Sequence, residues 1–113
     1  MSSITTHILD VSIGSPASGI SIVLDVREGG DWKQVGTGVT DGDGRVRSFL
    51  TDNVSLEEGI YRLTFETGAY FSGRSIDSFY PQVTVTFTIS NTSQHYHVPL
   101  LLSPFGYSTY RGS

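Results

Sequence analysis

Several stretches of this chain alternate apolar and polar residues with a period of two, which only an extended strand can turn into two different faces. In Gly19-Ile20-Ser21-Ile22-Val23-Leu24-Asp25-Val26 the positions Ile20, Ile22, Leu24 and Val26 share a face. Val83, Val85, Phe87 and Ile89 do the same with Thr84, Thr86 and Thr88 opposite, and Tyr61, Leu63 and Phe65 alternate with Arg62, Thr64 and Glu66. β-Branched and aromatic residues in that rhythm mark strands that cover a core on one side. Turn residues punctuate them at Gly14-Ser15-Pro16, Glu28-Gly29-Gly30-Asp31, Asp41-Gly42-Asp43-Gly44, Glu58-Gly59 and Ser90-Asn91-Thr92-Ser93. The pattern predicts strands near 4–11, 20–27, 33–40, 45–49, 60–67, 82–90, 95–102 and 105–111. Eight short strands so spaced argue for an all-β, antiparallel sandwich. One short helix is expected near 68–76, weakened by Ser72-Gly73.

A length of 113 residues allows one domain, expected to span 1–113. A chain of that size buries roughly two-thirds of its unfolded surface and folds without staples. It has no cysteine, so disulfides and thiolate chemistry are excluded, which suits a reducing compartment. The net charge is −4 and the seven basic residues are scattered, so the clustered cations that nucleic-acid binding needs are missing. Neither a signal peptide nor a membrane span is expected, and no Ser-Lys-Leu ending is present, so the cytoplasm is the expected compartment. Asn53-Val54-Ser55 and Asn91-Thr92-Ser93 fit a glycosylation pattern, read here as chance matches.

Two strands depart from the simple in/out rule. Ile4 to Val11 carries apolar residues on both faces. In 95–102, Tyr96, Val98, Leu100 and Leu102 read as core, while the other face mixes His95 and His97 with Pro99 and Leu101. A sandwich strand apolar on both sides needs outer cover, so an oligomer whose interface contains the histidine face is expected. The competing explanation is an edge or bulge at Pro99 that shifts the alternation.

His7, His95 and His97 are the chain's three histidines, and three imidazoles plus water is a catalytic zinc arrangement. His-x-His alone is a weak signal, and no metal is assigned. A metal-free role is the sharper hypothesis: a neutral imidazole accepts a proton near pH 7 and returns it to a leaving group. Spacing alone favours the plainer reading, a surface or interface histidine making one hydrogen bond. Thr40-Asp41-Gly42-Asp43-Gly44-Arg45 resembles a calcium loop but has Arg45 and Val46 where an oxygen ligand and a glycine are required. A hairpin turn explains the Asp-Gly pairs and leaves Arg45, a planar fork of donors suited to a carboxylate or anionic heterocycle, or else a solvated rim residue. Arg47 is a backup. No Gly-x-Ser-x-Gly elbow supports a serine nucleophile among Ser103, Ser108 and Ser113. Tyr110-Arg111-Gly112-Ser113 combines an aromatic, a cation and small residues where chains usually fray, which suggests a segment tied down inside something.

These residues together resemble the 5-hydroxyisourate hydrolases of the transthyretin-like family over essentially the whole length. The likeness rests on Thr6-His7-Ile8-Leu9-Asp10 with Gly14-Ser15-Pro16-Ala17, on Thr40 to Arg45, and on Phe79-Tyr80-Pro81-Gln82-Val83. It continues through His95-Tyr96-His97-Val98-Pro99-Leu100-Leu101-Leu102-Ser103-Pro104 and Tyr107 to Ser113, the closing Tyr-Arg-Gly-Ser being what separates hydrolases from hormone carriers. Tyr80, where the family often has Phe, and Val46-Arg47 are small departures.

The resemblance implies a transthyretin-like, eight-stranded sandwich with one short helix, assembled as a homotetramer, a dimer of dimers with active sites in its central channel. It implies opening of the six-membered ring of 5-hydroxyisourate in urate catabolism, with no cofactor. It places His7, Arg45, His97 and Ser113 in catalysis and Arg45, Tyr110, Arg111 and Gly112 against the substrate; His95 is not carried over. Arg45 would stabilise developing charge, and His7 or His97, or both as a coupled pair, would move the proton. Ser113 would orient water or an imidazole, and Tyr110 would narrow the channel. The competing readings are a carrier for an aromatic ligand, a monomeric adhesion sandwich and a three-histidine zinc hydrolase.

Overall fold

The computed structural model describes residues 3–49 and 55–113. Asn53 and Val54 of one glycosylation match lie outside the described residues. The described chain forms two sheets. The first contains β1 (Ser3–Asp10), β2 (Ser15–Pro16), β5 (Arg45–Val46), β8 (His95–Ser103) and β9 (Gly106–Thr109), in the order β2-β1-β8-β9 with β5 beside β1. The second contains β3 (Ser21–Glu28), β4 (Asp31–Val39), β6 (Gly59–Phe65) and β7 (Val83–Ile89), in the order β4-β3-β6-β7.

The alternation expected from sequence is the alternation observed. Ile4 and Ile8 on β1, Ile22 and Leu24 on β3, Tyr61, Leu63 and Phe65 on β6, and Tyr96, Val98, Leu100 and Leu102 on β8 are all buried. Their side chains meet between the sheets, each full burial stabilising by about 1.5–3 kcal/mol before chain entropy is charged. Thr6 is the polar exception on the β1 core face, and its hydroxyl is satisfied by the Val98 carbonyl. The alternation of β8 runs straight through Pro99, so no bulge shifts it. Beyond the last β8–β9 pair, Leu100 with Thr109, the Pro99 carbonyl accepts from Thr109 Oγ1 at 2.7 Å.

One pairing is not antiparallel. β1 and β8 run parallel, from Ser3 beside His95 to Asp10 beside Leu102. Parallel neighbours need a long crossover rather than a hairpin, and here the other sheet is built between the two strands. This register sets Thr5 beside His97 and His7 beside Pro99. The expected strand at 45–49 shortens to Arg45–Val46 and the last one to Gly106–Thr109. The helix, α1, occupies Thr67–Ser72 rather than 68–76: its N-cap, Glu66, makes no side-chain cap bond, and neither terminal turn carries a charge that complements the helix dipole. No helix of the described residues is long and apolar enough to cross a membrane.

Candidate functional site

β1 presents Ser3, Thr5, His7 and Leu9 on its outer face because Ile4, Thr6, Ile8 and Asp10 take the core side. β8 does the same with His95 and His97. Parallel register then lays the two imidazoles next to the β1 hydroxyls. His97 Nδ1 lies 2.8 Å from Thr5 Oγ1, His95 Nε2 lies 3.0 Å from the same oxygen, and His95 Nδ1 is bonded to Ser3 Oγ. The two rings stand 6.3 Å apart, centroid to centroid, and nearly parallel at 15°.

Arg45 reaches this face from a tight turn. The Asp41 carboxylate accepts from the backbone N–H groups of Asp43 at 2.9 Å and Arg45 at 3.0 Å, and the Gly44 N–H donates to the Asp41 carbonyl at 2.9 Å. The Arg45 N–H, first among several causes, holds the Asp41 carboxyl below its ordinary value. Gly44 has φ +74°, and a Cβ there would stand 2.5 Å from the Ile8 carbonyl oxygen, so the turn requires glycine. The Ile8 N–H in turn donates to the Gly44 carbonyl at 2.8 Å, docking the turn on β1 and pairing His7 with Arg45. The Arg45 guanidinium makes no ion pair or hydrogen bond among the described residues.

These groups enclose a cavity of about 400 Å³, its wall including Thr5, Arg45, Arg47, His95, His97 and Ser113. Burial above all, then the charges of Arg45, His95 and His7, hold the imidazole of His97 below the usual histidine value. A half-buried, neutral imidazole beside this guanidinium is an acceptor for a proton next to a clamp for negative charge.

The structure brings Arg45, His97 and Ser113 onto one wall. His7 stands beside it, on the same sheet face and in register with Arg45. Gly112 is joined to His97: its N–H donates to the His97 carbonyl at 2.8 Å, and the two form an antiparallel bridge. Tyr110 and Arg111 face elsewhere, lining with Phe87 and Val98 a second, apolar groove of about 150 Å³ that also touches His97. Arg111 stacks its guanidinium 4.5 Å from the centroid of the Tyr96 ring and donates to Gln94 Oε1 at 2.9 Å. Among the described residues no three His, Cys, Asp or Glu side chains are grouped as a metal site. Thr5 and Ser3 carried no signal in the sequence, since two hydroxyls on a strand become site residues only once β8 lies beside them.

Three comparisons bear on this geometry. A family model described as the HIUase/Transthyretin family matches residues 4–112. A 5-hydroxyisourate hydrolase of Salmonella dublin is 47% identical over 110 residues, covering 97% of this chain and 80% of the relative. The solved structure of Klebsiella pneumoniae 5-hydroxyisourate hydrolase superposes with a TM-score of 0.86 at 41% identity, over 100% of this chain and 94% of that one. The crystal structure of sea bream transthyretin in complex with thyroxine superposes with a TM-score of 0.90 at 32% identity, over 96% and 93% of the two chains.

Proposed function

The chain belongs to the HIUase/transthyretin family, and from that premise we propose that it is an enzyme that hydrolyses 5-hydroxyisourate in urate degradation. The observation that carries the reading is the Arg45 guanidinium, without an ion pair or hydrogen bond among the described residues, sharing a cavity with the His97 imidazole in a chain 47% identical to a hydrolase of that name. A cavity of about 400 Å³ is within the range that small heterocyclic ligands occupy.

In this reading Arg45 holds an oxygen of the flat, nearly anionic ring and stabilises the charge that grows there as water attacks. His97, kept neutral by its burial, takes a proton from that water and delivers one to the ring nitrogen as the carbon–nitrogen bond breaks. His7, the next residue after Thr5 on the same face of β1 and level with Arg45, is the second imidazole and shares the proton with His97 as a coupled pair. Ser113 orients the attacking water. Gly112 lets the segment lie flat on His97, while Tyr110 and Arg111, just before it, line the neighbouring apolar groove and not this cavity. The reaction needs no cofactor.

The assembly is a homotetramer, a dimer of dimers that closes these open cavities into a channel between protomers. The face of β1 and β8 that carries Leu9 and Leu101 beside the histidines gives the apolar cover such a contact requires. The cysteine-free sequence suits the cytoplasm. Stopped-flow absorbance on urate freshly oxidised by uricase tests the activity. Faster decay with the protein than without supports it, and tight binding of the substrate with no acceleration would make the chain a carrier.

A further inference from the structure

The hydrogen bonds behind His97 form a single file: Ser3 Oγ to His95 Nδ1, His95 Nε2 to Thr5 Oγ1, and Thr5 Oγ1 to His97 Nδ1. A neutral imidazole has one N–H and one lone pair, and a hydroxyl has one O–H to give. A file of such groups is therefore satisfied in two polarities. In one, His97 Nδ1–H donates to Thr5, Thr5 donates to His95 Nε2, and His95 Nδ1–H donates to Ser3. His97 Nε2, which has no hydrogen-bond partner among the described residues, then keeps its lone pair. In the other, every donor is reversed and His97 Nε2 carries the proton.

We propose that Thr5 is a positioning residue for His97: its hydroxyl, backed by His95 and Ser3, sets which ring nitrogen of His97 is protonated and passes a proton along the file between His97 and the exposed end at Ser3. The proposal rests on the assignment of His97 as the base that meets the substrate. The balance is simple. When Nε2 gains a proton from water, the Nδ1 proton moves to Thr5 Oγ1 and the Thr5 proton to His95 Nε2. The His95 Nδ1 proton then moves to Ser3 Oγ, and the original Ser3 hydroxyl proton leaves to solvent. One proton enters, one leaves, and no heavy-atom bond changes. When Nε2 gives its proton to the departing ring nitrogen, the same steps run backwards and a solvent proton returns to Nδ1. The hydrogen bond at one ring nitrogen decides what the other can do, and the file makes Thr5 that decision. The other charged or titratable groups named at this face, Arg45, Arg47 and His7, lie outside the file.

The test is heteronuclear NMR of the imidazole nitrogens beside steady-state kinetics, in wild type, Thr5→Val, Thr5→Ser and His95→Phe. Val matches the shape and β-propensity of Thr on a strand, so only the hydroxyl is lost. Wild type and Thr5→Ser should hold His97 in one dominant tautomer, and Thr5→Val should show a mixture. kcat should fall about tenfold to a hundredfold in Thr5→Val with KM roughly unchanged, recover in Thr5→Ser, and fall in His95→Phe. An unchanged His97 tautomer in Thr5→Val, or a Thr5→Ser variant as impaired as Thr5→Val, overturns the proposal. The NMR readout needs no substrate. A wild-type protein without hydrolase activity therefore overturns the functional assignment while the tautomers still decide the role of Thr5.

Discussion

Gly112 lies so close to His97 that a Cβ at Gly112 would stand 2.5 Å from Cδ2 of the imidazole. Real Cβ contacts are not that short, so Gly112→Ala must push either the ring or the closing segment aside. A displacement near 1 Å at a reacting group costs on the order of 10²-fold in rate. Gly112→Ala should therefore lose about that much kcat/KM while its urea midpoint stays close to wild type. An equal loss of stability and activity would instead make Gly112 a folding residue.

Burial first, and then the charges of Arg45, His95 and His7, lower the basicity of His97. The proton acceptor is the neutral form, so a depressed value keeps His97 competent at lower pH than an ordinary histidine. The acid limb of kcat/KM should fall below pH 6.5, the unperturbed value. Arg45→Gln removes one of the positive charges that disfavour the imidazolium, so His97 should titrate at higher pH in that variant. NMR titration of the ring checks this whatever activity remains. A wild-type His97 that titrates at or above the ordinary value would contradict it.

Asp41 shapes the turn that delivers Arg45. Asp41→Ala removes the acceptor for the Asp43 and Arg45 N–H groups, both exposed to solvent, so the fold should survive. The turn should lose its register on β1, and activity should fall with it while Asp41→Asn, which keeps a side-chain oxygen, retains more. Activity assays of the two variants beside circular dichroism decide the matter.

Asp10 is fully buried at the end of β1 and ties the helix to the sheet. Its carboxylate accepts from the Tyr70 hydroxyl at 2.8 Å and from the Ser12 N–H at 3.0 Å. Burial, and then this bond to Asp10, push the Tyr70 hydroxyl up to about 12. Tyr70→Phe leaves Asp10 Oδ2 without that donor and should destabilise the protein by about 1–3 kcal/mol, read from urea unfolding. Little change would mean that Asp10 finds another partner.

The period-two residues made both sheets legible, because a strand with one buried face writes that face into every second residue. What stayed hidden depends on contacts made far along the chain. Thr5 and His97 are 92 residues apart, and nothing local announces that β1 and β8 run parallel with these two side by side. The two-residue strand Ser15–Pro16 is too short to show a period, and the helix stops early where Ser72-Gly73 had already weakened it. Arg45 and His97 stood out in the sequence as chemistry without an explanation, and they share one cavity. Arg111 stood out equally, yet its guanidinium rests on Tyr96, since the face of an aromatic ring competes well for a cation.

In the proposed reaction His97 is the proton acceptor beside Arg45. That role is tested most directly by the stopped-flow decay of freshly generated 5-hydroxyisourate with wild type and His97→Asn, after sedimentation has shown that both form the same assembly. Rapid decay is expected with wild type, and a loss of about 10²- to 10⁴-fold in the variant. Wild-type turnover by His97→Asn would contradict it.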